Sequence, residues 1–372
     1  MKTITVITLQ NIRNYGSVLQ ALATQHILES LGLKCDLIDY WRKDSESIIS
    51  RIKEWTKGKC FFLRLLMGLI LFPTFIKQNR IFDSFNKKHL NLIPEHFTNE
   101  EELEKGLKIT SDIYCTGSDQ TWNSGWNGGV LPEFFLRFVP DNVRKISYAA
   151  SFGKAVLDDN EVDITRKYLE GYYAISVREK SAVDIIEKQL GLPDATHVLD
   201  PTLQVDSNFW LSILNKKQIN RKDKSKYVLV YQLNTNPQFD AYAREFARKK
   251  GWKLYRFCTR YDQFFKCGQS KLVPEVTEFI SLIANAGCVI TDSFHATAFS
   301  CNFNTPMICI YPSSYSSRLD SLLRLVGLEY RHLTDYNDFS FVNNTDVDFA
   351  NVNNVLEMER KTGWNFLKEA VK

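Results

Sequence analysis

Net charge is nearly absent from this chain: 47 Lys and Arg stand against 43 Asp and Glu, leaving +4 over 372 residues. So small an excess indicates no nucleic-acid footprint. The eight cysteines show no C-x-x-C spacing, and several lie in apolar strand-like runs such as Met307-Ile308-Cys309-Ile310. They read as reduced core thiols of a cytosolic protein. There is no G-x-x-x-x-G-K-[ST] loop, no H-E-x-x-H and no G-x-S-x-G elbow, so nucleotide hydrolysis, zinc proteolysis and serine esterase chemistry are unsupported. Met1–Thr8 alternates like a strand and lacks a small-residue cleavage site, so no secretion signal is expected. Nor is there a repeat of about 20–50 residues or a low-complexity tract. The most apolar run, Cys60–Ile76, is interrupted by Arg64 and Pro73. Spanning a bilayer takes roughly 17–25 apolar residues, so this run is expected not to cross. With Lys53, Lys57, Lys59, Lys77 and Arg80 around it, two readings stay open: a helix lying in a membrane interface, or one filling a groove in the same protein.

What is present is the composition of a soluble globular protein, 44% hydrophobic and 24% charged, long enough for two cores. Strand and helix signals alternate. Ile4–Thr8, a helix over Val18–Leu31 stopped by Gly32, and Lys34–Tyr40 make a β-α-β unit. Short strands are expected again at 112–116, from Lys145, and at Ala174–Val177, with a helix over Lys180–Gln189. In the second half the expected series is strand 227–232, helix 238–250, strand Lys253–Phe257, helix Val276–Ala286, strand 288–291, helix 294–302, strand Pro306–Tyr311 and helix Arg318–Val326. Such alternation predicts parallel sheets with helices on both faces. The charged segment Lys216–Lys226 is the linker candidate. It divides an N-terminal domain, 1–215, from a C-terminal one, 216–350, with a final helix in 351–372 that can pack back on the first.

Open α/β sheets bind ligands outside the carboxyl ends of their strands, where helix N–H groups favour anions. The most informative stretch of this kind is Val289-Ile290-Thr291-Asp292-Ser293-Phe294-His295. A β-branched run ends in two N-cap residues, which puts His295 in the first turn of a helix. Asn14 and Gly16 occupy the first βα loop, where glycine lets a ligand approach the backbone. Gly117-Ser118-Asp119-Gln120, with Trp122 and Asn123, follows another strand; aromatic and hydroxyl groups together suit sugar recognition, and equally a packed loop. Arg178 at a strand-to-helix junction suits an anion, or an ion pair with Glu179 or a neighbour. Pro312-Ser313-Ser314-Tyr315-Ser316-Ser317-Arg318 offers hydroxyls and a guanidinium at a helix start. Asp346-Val347-Asp348 follows no strand and reads as a solvated loop, so no metal site is expected.

These motifs, in this order, resemble the polysaccharide pyruvyl transferase family: Asn14-Tyr15-Gly16 with Leu19-Gln20-Ala21, Gly117-Ser118-Asp119-Gln120-x-Trp122-Asn123, Tyr148-Ala149-Ala150-Ser151-Phe152-Gly153, Ser176-Val177-Arg178-Glu179, Asp200-Pro201-Thr202 and Ser293-Phe294-His295. The resemblance implies an α/β fold of two Rossmann-like, doubly wound domains facing a cleft, as in the B-type glycosyltransferases. It implies a cytoplasmic transferase of exopolysaccharide or capsule biosynthesis, at the inner face of the membrane if Cys60–Ile76 is interfacial. The reaction it implies is transfer of pyruvate as a ketal from phosphoenolpyruvate, a co-substrate with no further cofactor, to a sugar or lipid-linked oligosaccharide. By position, His295 matches the catalytic histidine and Arg178 the donor-binding arginine. Several members carry an arginine where this chain has Ser293, and Arg318 is the candidate replacement, with Ser293, Ser316 and Ser317 beside the donor. Asn14, Gly16, Gln20, Gly117, Ser118, Asp119 and Trp122 are the acceptor-side candidates. Two alternatives remain: a nucleotide-sugar glycosyltransferase on the same frame, and a non-catalytic binder of glycan precursors.

Overall fold

The computed structural model describes residues 1–108, 110–215, 218, 224–312, 316–344 and 346–372. These residues group into two compact units, one of Met1–Arg51, Phe82–Gln204 and Met358–Lys372, the other of Ile52–Ile81 and Val205–Glu357. Composition gives no sign that 52–81 belongs with the second unit. The linker expected at 216–226 falls mostly outside the described residues.

The first unit is built on seven parallel strands: β1 (Thr3–Ile7), β2 (Lys34–Tyr40), β3 (Leu92–Phe97), β4 (Ile113–Thr116), β5 (Arg144–Ala150), β6 (Ala174–Val177) and β7 (Ala195–His197), in the order β3-β2-β1-β4-β5-β6-β7. Expected strands appear within a residue or two, whereas β3 and β7 had no alternating signal. Helix Tyr15–Ser30 starts three residues earlier than its apolar pattern suggests, because the Asn14 side chain caps it, accepting from Gly16 N at 2.9 Å and Ser17 N at 3.4 Å. Between this sheet and its helices lies an aromatic core that includes Tyr40, Phe97, Trp122, Phe134, Phe135 and Phe152. The closing helix, Phe349–Ala370, sends Met358 onward into this unit. Within the unit, Arg360 Nε donates to Leu203 O at 2.9 Å and Gln204 Nε2 donates to Arg360 O at 2.8 Å.

The second unit repeats the plan with five parallel strands: β8 (Ser225–Tyr231), β9 (Lys253–Cys258), β10 (Gln269–Leu272), β11 (Ala286–Thr291) and β12 (Met307–Cys309), ordered β10-β9-β8-β11-β12. β10, polar and partly exposed, is the strand here that periodicity did not reveal. Its core joins Val228, Val230 and Ile290 of the sheet to Phe239, Tyr242 and Phe246 of helix Pro237–Lys250.

The apolar run belongs to a single helix, Phe61–His89, with Pro73 inside it. Proline removes only one backbone donor, so a helix held by packing continues through it. By length and composition this helix could cross a membrane. Leu71, Phe75, Ile81 and Phe82 are buried in the protein, however, whereas Phe61–Leu66 are exposed.

Candidate active site

In each sheet the order reverses beside the first strand: β1 lies between β2 and β4, and β8 between β9 and β11. Such reversals open a crevice at the carboxyl edge, where α/β sheets hold ligands. The singled-out motifs collect at these two edges.

At the first, Gly117 turns the chain with φ +107, and a Cβ there would lie 2.3 Å from Tyr148 O, so only glycine fits. The turn aims Ser118 and Asp119 inward. Ser118 Oγ donates to Ala149 O at 2.8 Å and stands 3.4 Å from Asp200 Oδ2, while its carbonyl accepts from Thr8 Oγ1 at 3.0 Å. Asp119 accepts from its neighbour Gln120 N at 2.9 Å, from Ser17 Oγ, and from Arg178 Nη2 at 3.3 Å. Arg178 Nη1 donates to Asp200 Oδ2 at 2.6 Å, and Asp200 Oδ1 accepts from Thr202 N and Oγ1 at 2.9 and 2.6 Å. Alongside, Glu179 Oε1 accepts from Ser151 Oγ at 2.6 Å and Gly153 N at 3.0 Å. Motifs from five separate parts of the chain thus form one network.

The network decides what Arg178 does. Its side chain is 1% exposed and bridges two carboxylates. Burial opposes its charge, but Asp200, Asp119 and Glu179 together outweigh that and raise its pKa above the ordinary value. Uncoupling a buried pair costs roughly 3–5 kcal/mol, so direct donor binding through these two nitrogens is disfavoured. Arg178 is positioned to order the loops; the ion pair with a neighbour is the arrangement found, with Asp119 and Asp200 as partners. Two acceptor-side expectations are revised on the same grounds. Trp122, 2% exposed, stacks on Phe135 at 5.5 Å and donates to Phe134 O at 3.0 Å, the packing of a core residue. Gln20 is wholly buried and donates to Thr8 Oγ1 and Ser17 O at 2.8 and 2.9 Å. Asn14 is occupied as a helix cap, and Gly16 sits in that helix's first turn.

At the second edge, Ser293 caps helix Phe294–Asn302, its Oγ accepting from Ala296 N at 3.4 Å. His295 lies in the first turn, as the sequence predicts, and its side chain is buried there. Asp292 does not orient that ring. Its Oδ1 accepts from Leu233 N at 2.7 Å and its Oδ2 from Asn234 N and Nδ2 at 2.8 and 3.0 Å, fastening the loop after β8 to the end of β11. Burial raises the Asp292 pKa despite these donors. The unforeseen residue is Phe294. The His295 ring centroid lies 5.3 Å from that of Phe294, and Arg318 Cζ stands 5.9 Å from the same ring. A cation and an imidazole therefore flank one aromatic side chain. Arg318 belongs to helix Ser317–Leu325, whose N-cap Ser316 makes no side-chain capping bond. Ser313, Ser314 and Tyr315 lie outside the described residues. Asp348 accepts from Asn351 N at 3.0 Å, capping the last helix from a loop.

The family model for polysaccharide pyruvyl transferase matches residues 14–314, from the Asn14 cap through His295. The chain belongs to the polysaccharide pyruvyl transferase family. Ser316, Ser317 and Arg318 lie just beyond the matched residues, so Arg318 is a feature of this chain rather than of that match. No curated protein matches the sequence. Among solved structures, Arabidopsis thaliana UGT89C1 superposes with TM-score 0.53 at 9% identity, covering 99% of this chain and 98% of that one. Spinosyn rhamnosyltransferase SpnG, complexed with thymidine diphosphate, gives 0.47 at 10% identity over 100% of both chains. E. coli heptosyltransferase WaaC gives 0.38 at 12% identity, covering 84% of this chain and 90% of that one. The first likeness is one of fold alone, two Rossmann-like α/β domains of the B-type glycosyltransferase kind; the other two are too distant to argue from.

Proposed function

We propose that this transferase moves pyruvate from phosphoenolpyruvate onto two hydroxyls of one sugar in a bacterial surface-glycan precursor. The observation that carries the reading is the cluster of His295, Phe294 and Arg318 at the carboxyl edge of β11, inside and just beyond the family match. Phosphoenolpyruvate bears a carboxylate and a phosphate. A guanidinium fork and the N–H groups at the start of helix Ser317–Leu325, with the Ser316 and Ser317 hydroxyls there, suit such an anion. In the first unit the buried network of Ser118, Asp119 and Arg178 orders the loops that would border the acceptor, with the Asn14–Gly16 turn tied to it through Ser17.

The chemistry balances as follows. A proton adds to the methylene carbon, a sugar hydroxyl oxygen bonds to the adjacent carbon, and the bond from that carbon to the phosphate oxygen breaks. A second hydroxyl of the same sugar closes the ketal. Of the two hydroxyl protons released, one is retained in the new methyl group and the other leaves with phosphate. His295 is the group that gives and takes these protons, since imidazole can do both near neutral pH.

The test is to incubate the purified protein with phosphoenolpyruvate and a panel of lipid-linked or aryl glycosides, following phosphate release and the mass of the sugar. Phosphate release coupled to a gain of one pyruvyl group is the expected result. Glycosyl transfer from a nucleotide-sugar under the same conditions, with phosphoenolpyruvate untouched, overturns the proposal.

A further inference from the structure

The reaction leaves unexplained an exposed apolar surface of the second unit. In helix Phe61–His89, Phe61 is 82% exposed, Phe62 74%, Leu65 60%, Leu66 50% and Leu69 70%. The two phenylalanines alone leave ~250 Å² in water, and with the leucines the patch reaches the size that marks an interaction surface. At ~100° of arc per residue, Phe61, Phe62, Leu65, Leu69, Phe72 and Ile76 share one face, opposite Thr74 and Gln78, which pack inward. The inward side is fixed. Thr74 Oγ1 accepts from Tyr261 N at 3.2 Å, Lys77 Nζ donates to Leu272 O at 2.7 Å, and Gln78 Nε2 donates to Thr259 O at 2.7 Å. Beside this anchor, the short 3-10 helix Tyr261–Phe265 exposes two more aromatics, Phe264 and Phe265.

Charge says what covers this face. Residues 52–81 carry six Lys or Arg (Lys53, Lys57, Lys59, Arg64, Lys77 and Arg80) against one Glu, a net +5 where the whole chain has +4, so the remainder is slightly negative. Basic charge is thus gathered around this exposed apolar face, a pattern complementary to a surface of anionic headgroups over hydrocarbon. The geometry excludes crossing: the stretch before the first inward-facing residue, Phe61–Ile70, is ~15 Å long as a helix, about half a hydrocarbon core of ~30 Å.

We infer that this helix face is a docking surface for an anionic lipid bilayer, lying in its interface with Phe61, Phe62, Leu65 and Leu69 inserted and the lysines at headgroup level. The inference is independent of the transfer chemistry, because binding is read without turnover. The intact protein is sedimented at low salt with phosphatidylcholine vesicles that contain or lack phosphatidylglycerol. It should pellet with the anionic vesicles and be released by salt. The triple variant Phe61→Ser, Phe62→Ser, Leu65→Ser alters only exposed side chains; with an unchanged melting curve it should bind at least about tenfold more weakly. The pair Lys57→Glu and Lys59→Glu should abolish the preference for anionic lipid. Equal pelleting of wild type and triple variant overturns the inference. So does absence of binding to anionic vesicles, or a wild-type dimer that the triple variant splits, which would make a second copy of the chain the occupant.

Discussion

His295, Arg318 and Asp292 crowd one strand end, and each is expected to fail differently when replaced. Loss of a positioned acid/base costs ~10²–10⁴ in rate, so His295→Gln should lower kcat by that much with donor KM little changed in steady-state assays. Arg318→Lys keeps the charge and loses the fork; it should raise donor KM about tenfold, one hydrogen bond to a charged group being worth ~1.5–3 kcal/mol. Asp292 makes a prediction about pH. Its folded pKa is raised by burial above an unfolded value of ~3.9, so the folded state holds that proton more tightly. The stability it contributes is full below the unfolded value and declines as pH rises through the folded one. The advantage of wild type over Asp292→Asn, measured as urea midpoints, should therefore shrink as pH rises above the unfolded value of ~3.9. A difference that widens with pH would contradict the assignment. His295 was legible from local sequence because an N-cap and the helix after it fix its place. The partners of Arg178 were not: Asp119 is 59 residues away and Asp200 22, and nothing local connects them.

Elements whose limits are set by their own residues were read well. Helix Phe294–Asn302 and strands Lys34–Tyr40 and Ala174–Val177 agree with expectation to the residue. Those that depend on neighbours were not. Strand Gln269–Leu272 is polar and exists by pairing with Lys253–Cys258, and Phe61–His89 outruns its apolar pattern because both ends of the helix find different surroundings. Loop geometry held by contact gives the prediction at this scale. Gly117→Ala puts a methyl group against Tyr148 O in a backbone region that favours glycine. It should cost at least about 1 kcal/mol in chemical denaturation. It should also displace Ser118 and Asp119, so that acceptor KM rises while donor KM holds. Unchanged stability would mean that the turn relaxes freely.

The division of the whole chain was the least legible feature, because units are defined by contacts and these return to earlier sequence. Residues 358–372 complete the first unit, with Leu367 and Ala370 buried and Gly363 so near Gln204 that a Cβ would lie 2.3 Å from its Oε1. A chain ending at Glu357 loses the hydrogen bonds of Arg360 and the burial of Leu367 and Ala370. Burying one leucine is worth ~1.5–3 kcal/mol, so calorimetry should show the first unit melting at least about 3 °C lower, while the second unit's transition is unchanged.

Synthesis adds a consequence. Residues 1–51 are made before the second unit, yet the unit they belong to needs residues 358–372, which emerge after every residue of the other. The second unit can be finished while the first still waits for its last helix. Until then the Leu203 carbonyl lacks its Arg360 donor, and the segments of the first unit made before the second are the ones that need a chaperone.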